Sequence, residues 1–327
     1  MSKSITYLKR KASAQYHSIE GLFESVKFEV SKSYHTCFVD AKYSGGSPFV
    51  IVKNCLAFKK SENTIYHITG DVHYMSLVTG KRTVLTIHDI GSALHGPFLK
   101  RFYVKFFWFL LPALCVKYIT VISEFTKQEL EEIIPFSKDK IRVVPNPVNR
   151  AFCAKPYRFN SQKPTILCMG TKSNKNLERV IEAVADIPCT LHIIGALSIH
   201  QIALLSQFRV NYKNSFNLTQ EGIIEAYETS DLLCFPSTYE GFGMPIIEAQ
   251  AIGRPVLTSN SGAMLEVAKD SACLVDPYDS TAIKTGVKEL ISNVNYREAI
   301  IIKGFENVKR FKLETIAKQY ISIYNEV

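Results

Sequence analysis

The chain has 327 residues, 46% apolar and 21% charged, with only 16 glycines and 13 prolines. That is about twice a usual domain of roughly 150 residues, so two domains are expected, and the composition excludes disordered, collagenous and low-complexity proteins. The formal net charge of +9 belongs to the first half, where residues 1–159 carry 23 Lys and Arg against 12 Asp and Glu, while the remainder carries 16 against 18.

A field of that sign favours an anionic neighbour (a membrane surface, a phosphorylated acceptor or nucleic acid), or else marks a solvated basic face. Nucleic acid is not expected, because the basic half shows neither aromatic–basic interleaving nor a known module. The eight cysteines stand at least fifteen positions apart, so no C-x-x-C pair exists. Scattered thiols in a chain this long point to a reducing, cytoplasmic compartment. Met1 to Arg10 is polar and basic with no apolar run behind it, unlike a secretory signal. The longest apolar run, Phe106 to Val116, contains Pro112 and falls short of the roughly 20 residues a spanning helix needs. The wider stretch from Phe102 to Val116, between Lys100/Arg101 and Lys117, has two readings. It is a buried core helix, or it docks peripherally on an anionic membrane.

Short apolar runs alternate with amphipathic stretches, the βα rhythm of parallel sheets. In chain order, strands are predicted at 5–8, 47–53, 64–68, 83–87 and 117–122, and Ser18 caps a helix over 19–26. Residues 125–134 read as a helix capped by Ser123, with Glu124 in its first turn and Pro135 after it. Residues 142–144 are one more strand. The segment 149–164 is polar, holds Pro156 and has no sustained period, so the domain boundary is set there: residues 1–158, then 159–310. Beyond it, strands at 165–169, 190–194, 232–235 and 255–258 alternate with helices at 176–185, 199–208, 220–229, 245–252 and 263–268. The last helix, within 311–327, repeats apolar residues at Leu313, Ile316, Ala317, Tyr320, Ile321 and Tyr324, a stripe that packs back near the first domain. The fold class is α/β: two Rossmann-like domains whose parallel sheets face a central cleft.

The richest segment is P-S-T-Y-E-G-F-G-M-P-I-I-E over residues 236–248. A strand runs into a two-glycine loop and then a helix opening with Pro245. Gly241 and Gly243 let the backbone approach a ligand, and free amides at the helix start can hold an anion. Glu240 before the loop and Glu248 in the first turn after it can each accept two hydroxyl hydrogen bonds, which suits a sugar or ribose diol beside a phosphate. The plainer reading makes Glu248 a surface acid complementing the helix dipole and Glu240 an ordinary loop acid. The second segment, M-G-T-K-S-N-K-N-L over 169–177, can bring amides, Lys172 and Lys175 to a diphosphate, or its lysines are merely solvated. Neither G-x-G-x-x-G nor the Walker pattern is present, which argues against a dinucleotide oxidoreductase and a P-loop NTPase. His88 and Asp89 end the strand 83–87, where open α/β sheets place ligands, although a structural histidine would sit there too. His67 and His73 form a weaker cluster. No metal-ligand spacing stands out, so neither metal nor cofactor is expected.

These segments resemble the retaining glycosyltransferases of family 4, which have the GT-B fold. The likeness runs through Gly170-Thr171, Lys175-Asn176-Leu177-Glu178, residues 191–195, Asp231 and Phe235-Pro236-Ser237. It continues through the E-x7-E element from Glu240 to Glu248, G-R-P-V at 253–256, Gly262, Glu266 and V-D-P at 275–277, and more thinly through 86–90, 121–126 and 143–146. The resemblance implies a UDP- or GDP-linked sugar donor held mainly by the second domain. Glu248 would hold the ribose hydroxyls, Glu240 the sugar hydroxyls, and Lys175 the leaving diphosphate. Gly170, Thr171 and the amides of Gly241, Phe242, Gly243 and Met244 would line the donor, and His88 would point to the anomeric carbon. It further implies metal-free transfer with retention, onto a saccharide or polyprenyl-diphosphate-linked acceptor at the inner membrane face, in surface-polysaccharide synthesis. Two departures stand out. Thr171 and Asn174 occupy places where many relatives carry an arginine, which leaves Lys172 as a possible substitute, and residues 11–18 lack the relatives' glycine-rich loop. A nucleotide-sugar epimerase of the same fold, which the E-x7-E element disfavours, and a non-catalytic nucleotide-sugar-binding protein are the alternatives.

Overall fold

The computed structural model describes residues 4–11, 18–94 and 97–327. The chain divides into two compact units: residues 1–147 together with Leu313–Val327, and Val148–Lys312.

The first unit is built on six parallel strands, β1 (Ser4–Lys9), β2 (His35–Asp40), β3 (Thr64–Ile68), β4 (Thr83–Ile87), β5 (Tyr118–Val121) and β6 (Ile141–Val143), in the order β2-β1-β3-β4-β5-β6. Alternate residues of β3 and β4 feed two cores, because successive side chains leave a strand on opposite faces. Ile65 and Val84 join Phe23 and Val26 of helix α1 (Ser18–Val30) and Ile316 and Tyr320 of the last helix, Leu313–Asn325. Tyr66, Ile68, Leu85 and Ile87 join a second core with Ile51, Trp108, Phe109 and Leu130. Fully buried His67 fastens the last helix down, with Nδ1 2.6 Å from the Tyr324 hydroxyl and Nε2 2.7 Å from that of Thr86. Burial pushes its pKa down to about 3, so the ring is neutral.

Residues 47–53, expected as a strand, belong instead to helix α2 (Pro48–Ala57). The run Val50-Ile51-Val52 favours a strand by propensity, but the signals of a helix start prevail. Ser47 accepts from the Val50 amide and Pro48 opens the first turn. Buried Asn54, three residues after buried Ile51, receives the Tyr43 amide and donates to the Tyr43 carbonyl and the Tyr74 hydroxyl, each at 2.9 Å. The run containing Phe106 and Pro112 is also helical: α3 (Phe98–Val104), a π turn (Lys105–Leu110) and α4 (Leu111–Cys115). Pro112 has no amide hydrogen for the Trp108 carbonyl four residues back. That carbonyl instead accepts from Nδ1 of His73 at 2.8 Å. Trp108, Phe109 and Ala113 are buried, so the core reading holds for one side of this segment. Its other side is exposed. Helix α5 (Glu124–Ile133) begins at Ser123, which accepts from the Thr126 amide as the sequence predicts. Residues 12–17 and the side chain of Ser18, including the expected cap and the stretch lacking a glycine loop, lie outside the described residues.

The second unit repeats the plan with β7 (Thr165–Met169), β8 (Thr190–Ile194), β9 (Tyr212–Ser215), β10 (Leu232–Phe235), β11 (Val256–Ser259) and β12 (Cys273–Val275), in the order β12-β11-β10-β7-β8-β9 and all parallel. Its helices are α6 (Leu177–Ala183), α7 (Ile199–Gln207), α8 (Gln220–Glu228), α9 (Met244–Ile252), α10 (Gly262–Ala268), α11 (Ser280–Ser292) and α12 (Val294–Val308). The division falls at 147/148 and not at 158/159, because polar contacts bind the aperiodic segment to this unit. Asp231 accepts from the Tyr157 hydroxyl, from the Asn160 amide at 2.7 Å and from the Thr165 amide at 2.6 Å. The Arg254 guanidinium lies 3.6 Å above the Tyr157 ring.

Candidate active site

The loops that leave β7, β10 and β12 are tied together by one side chain. Asn176 sits in the left-handed region at φ 61°, a conformation asparagine tolerates better than most residues. Its Nδ2 donates to the Pro236 carbonyl at 3.0 Å and to the Pro277 carbonyl at 2.6 Å. The Thr238 amide donates to the Asn174 carbonyl at 2.9 Å, and Asn174 Nδ2 donates to the Tyr239 carbonyl at 2.9 Å and to Glu240 Oε1 at 3.2 Å. This lacing brings Lys175 Nζ to 2.6 Å from Glu240 Oε1, with the ammonium 4.8 Å from the centre of the Phe235 ring. The two side chains are 21% and 16% exposed, more enclosed than open-cleft residues would be. Gly170, at φ +91°, makes room: a Cβ there would stand 2.9 Å from the Lys175 side chain.

Glu248 lies in the second turn of α9, not the first, and it is not a surface acid on the helix dipole. Its Oε2 accepts from the hydroxyl of fully buried Tyr227, on α8, at 2.7 Å. Burial raises the Glu248 pKa, while the Tyr227 hydroxyl and the Lys175 charge pull it back down. Lys175 thus acts electrostatically on both carboxylates. Between them runs the glycine loop, with Gly243 at φ +103° as the residue before α9 and the Ile246 amide turned back onto the Gly243 carbonyl at 3.0 Å. Among the described residues the amides of Phe242, Gly243 and Met244 donate to nothing. The Phe242 side chain is buried edge-on against Phe311, so the loop is anchored while its backbone stays available.

The remaining predicted residues divide. The Thr171 hydroxyl donates to the Ala196 carbonyl at 2.6 Å, and the Thr171 carbonyl accepts from Gln201 Nε2 at 2.9 Å. Its side chain therefore holds the loop to the end of β8. Lys172 is exposed, and its side chain makes no ion pair among the described residues. His88, in the first unit at the end of β4, donates from Nε2 to the Thr69 carbonyl at 3.1 Å and meets Phe23 edge-on at 5.9 Å. Asp89 accepts from the Gly91 amide at 3.0 Å, which starts the following turn. His67 and His73 are buried structural residues. Among the described residues, no group of three His, Cys, Asp or Glu stands together as a metal site. The sequence pattern does not point to Tyr227, and it marks Asn174 only as a departure from the relatives' arginine, not as a partner of Glu240. Nothing in a helical tyrosine's spacing reports where its hydroxyl ends.

A cation between two carboxylates, beside unpaired amides at parallel-strand ends, is an arrangement fit for a polyhydroxylated anion. Two sheets of this topology make the fold GT-B. Residues 149–307 match the family described as Glycosyl transferases group 1, and residues 63–152 match Glycosyltransferase Family 4. The chain belongs to the family 4 glycosyltransferases. It is similar to the O-antigen chain mannosyltransferase B of Escherichia coli, 24% identical over 275 residues, which covers 75% of this chain and 70% of that protein. In structure it is similar to a glycosyltransferase of Rickettsia africae ESF-5, with a TM-score of 0.74 at 20% identity over 99% of this chain and 98% of that one. It is also similar to Anabaena HepE crystallised with UDP-glucose, with a TM-score of 0.75 at 15% identity over 98% and 100%.

Proposed function

We propose that this protein transfers a sugar, with retention, from a UDP- or GDP-linked donor to a saccharide or polyprenyl-diphosphate-linked saccharide in surface-polysaccharide synthesis. The observation that carries the reading is the meeting of Lys175 and Glu240, within electrostatic reach of Glu248, at the ends of β7 and β10. The O-antigen role named for the E. coli relative supports the pathway class, and the UDP-glucose bound by HepE supports the donor class.

The chemistry follows from charge. As the glycosidic C–O bond breaks, negative charge collects on the diphosphate, and fixed donors lower that barrier most when they are already oriented. Lys175 and the amides of Phe242, Gly243 and Met244 supply them without a metal ion. Glu240 accepts the donor sugar's hydroxyls and Glu248 those of the ribose. An incoming donor competes for both halves of the Lys175–Glu240 pair, drawing the ammonium to phosphate and the carboxylate to sugar. His88, just after β4, is the first unit's candidate for the reaction, a role that rests on the family resemblance.

The test is a panel of UDP- and GDP-sugars with saccharide and lipid-linked acceptors, following acceptor-dependent nucleotide release and the anomeric configuration of the product. Chelation with EDTA is expected to leave the rate within about twofold. Sugar conversion without an acceptor would make the protein an epimerase, and binding without release would make it non-catalytic. Either result, or a strict divalent-ion requirement, contradicts the proposal in that respect.

Tyr227→Phe probes the donor end. It removes the hydrogen bond that favours ionised Glu248, so the Glu248 pKa rises and the acid limb of kcat/KM moves to higher pH. Donor KM is expected to rise about three- to tenfold with kcat little changed, as befits one lost hydrogen bond to a charged group. An unmoved pH profile would detach Tyr227 from donor binding.

A further inference from the structure

Helices α2 and α3 belong to one layer over the first sheet. Ile51 and Cys55 of α2 and Tyr103 and Val104 of α3 pack on the same core. The Tyr103 hydroxyl donates at 2.6 Å to the carbonyl of Gly46, next to the residue that caps α2. Gly46 lies so close to Trp108 that a Cβ there would stand 2.4 Å from the indole. The inner sides of both helices are therefore engaged with the core, although no residue of α3 is fully buried.

Their outer sides are apolar as well. On α2, Phe49 is 66%, Val52 54% and Leu56 82% exposed, at i, i+3 and i+7 on one helical stripe. On α3, Phe98, Leu99 and Phe102 are 77%, 79% and 60% exposed, and the Phe102 ring lies parallel to that of Phe106 at 6.3 Å. A helix that hides one apolar side in a core normally shows a polar one to water, and large contiguous apolar exposure marks an interaction surface. The charge carried by these stretches of chain has one sign only, although exposed Asp71 stands against the π turn and accepts from Trp108 Nε1. Residues 41–61 hold four lysines and no Asp or Glu, and residues 90–123 hold three lysines, one arginine and no Asp or Glu.

We propose that α2, α3 and the following π turn form a single docking surface for an anionic lipid bilayer. Phe49, Leu56, Phe98 and Phe102 enter the acyl boundary while Lys53, Lys100 and Lys105 meet headgroup phosphates. No helix among the described residues is long and apolar enough to cross a membrane, so the contact is peripheral. The proposal builds on the lipid-linked acceptor of the proposed function, but its test reads lipid binding and not turnover, so the two can fail separately.

The experiment is flotation of the full chain with phosphatidylcholine vesicles, with and without phosphatidylglycerol, across a salt series. Binding is expected to need the anionic lipid and to weaken as salt rises, since a nearby cation contributes about fivefold at low ionic strength. Two variants follow, Leu56→Ser/Phe102→Ser and Lys53→Gln/Lys100→Gln/Lys105→Gln. Each is expected to lower partitioning by at least about tenfold while circular dichroism and transfer to a water-soluble acceptor stay as in the parent. The second variant leaves every apolar side chain of the surface and of the core unchanged, so it keeps the test open if the first folds poorly. Equal binding to neutral vesicles, no binding to either, or unchanged binding of both variants overturns the proposal. So does self-association that Leu56→Ser/Phe102→Ser abolishes without any vesicle binding, which would make the surface an interface between copies of the chain.

Discussion

Replacing Lys175 by alanine should lower kcat/KM by about a thousandfold and leave the protein folded. The ammonium is the one side-chain cation among the described residues in contact with Glu240 and felt by Glu248. Removing a preoriented donor to developing charge typically costs two to three orders of magnitude, and here the same group also offsets the donor's ground-state charge. Folding should suffer little. Both side chains of the pair keep some contact with water, and a partly exposed ion pair is worth at most about 1 kcal/mol. Glu240 retains Asn174 Nδ2, which still holds the loop in place. Glu240→Ala should be similarly inactive, and the double variant should be no worse than either single one, because both act on one bound donor. Steady-state kinetics with circular dichroism on the three variants decides the matter. A Lys175→Ala enzyme within about tenfold of the parent would remove Lys175 from the chemistry.

Asp231→Ala should do the reverse and unfold the second unit more easily while sparing the donor chemistry. One carboxylate receives a tyrosine hydroxyl and the Asn160 and Thr165 amides, with Arg254 stacked on that same tyrosine. Alanine would leave two amides and Arg254 without their anion, at a cost of about 3–5 kcal/mol. For a unit of this size that corresponds to a fall of about 10 °C in its melting temperature. Differential scanning calorimetry should show the transition of the second unit alone displaced. A shift of under about 2 °C would mean that residues 148–164 are held by something else.

The sequence revealed the interior of this fold better than its margins. β3, β4, β8 and β10 are fully or almost fully buried and read as short apolar runs, so both sheet centres were legible. The strands β2 and β9 were not, because each closes one edge of its sheet and holds only exposed and half-buried residues (H-T-C-F-V-D and Y-K-N-S), leaving no apolar run to see. In α2 the β-branched residues outvoted Ser47-Pro48, and its outward Phe49, Val52 and Leu56 blurred the two-sided pattern that marks a helix. At the site, Glu240, Glu248 and Lys175 were legible because phosphate and diol recognition constrain residue type and loop position together. Their contacts were not. The ion pair, the Tyr227 hydroxyl under Glu248 and the Asn176 tie depend on three-dimensional closure between residues 21 to 101 positions apart.

The last helix has a consequence for biosynthesis. Residues 148–312 form a contiguous piece of chain, whereas the unit around them needs both residues 1–147 and the helix that ends at Asn325. On the ribosome, the sheet made first cannot cover the face holding Tyr7, Phe23 and His67 until residues 313–325 have been made. The unit made second is the one able to finish first. A nonsense mutation at the codon for Leu313 would therefore strip the first unit of its cover, leaving an intact second unit attached to an exposed, aggregation-prone sheet.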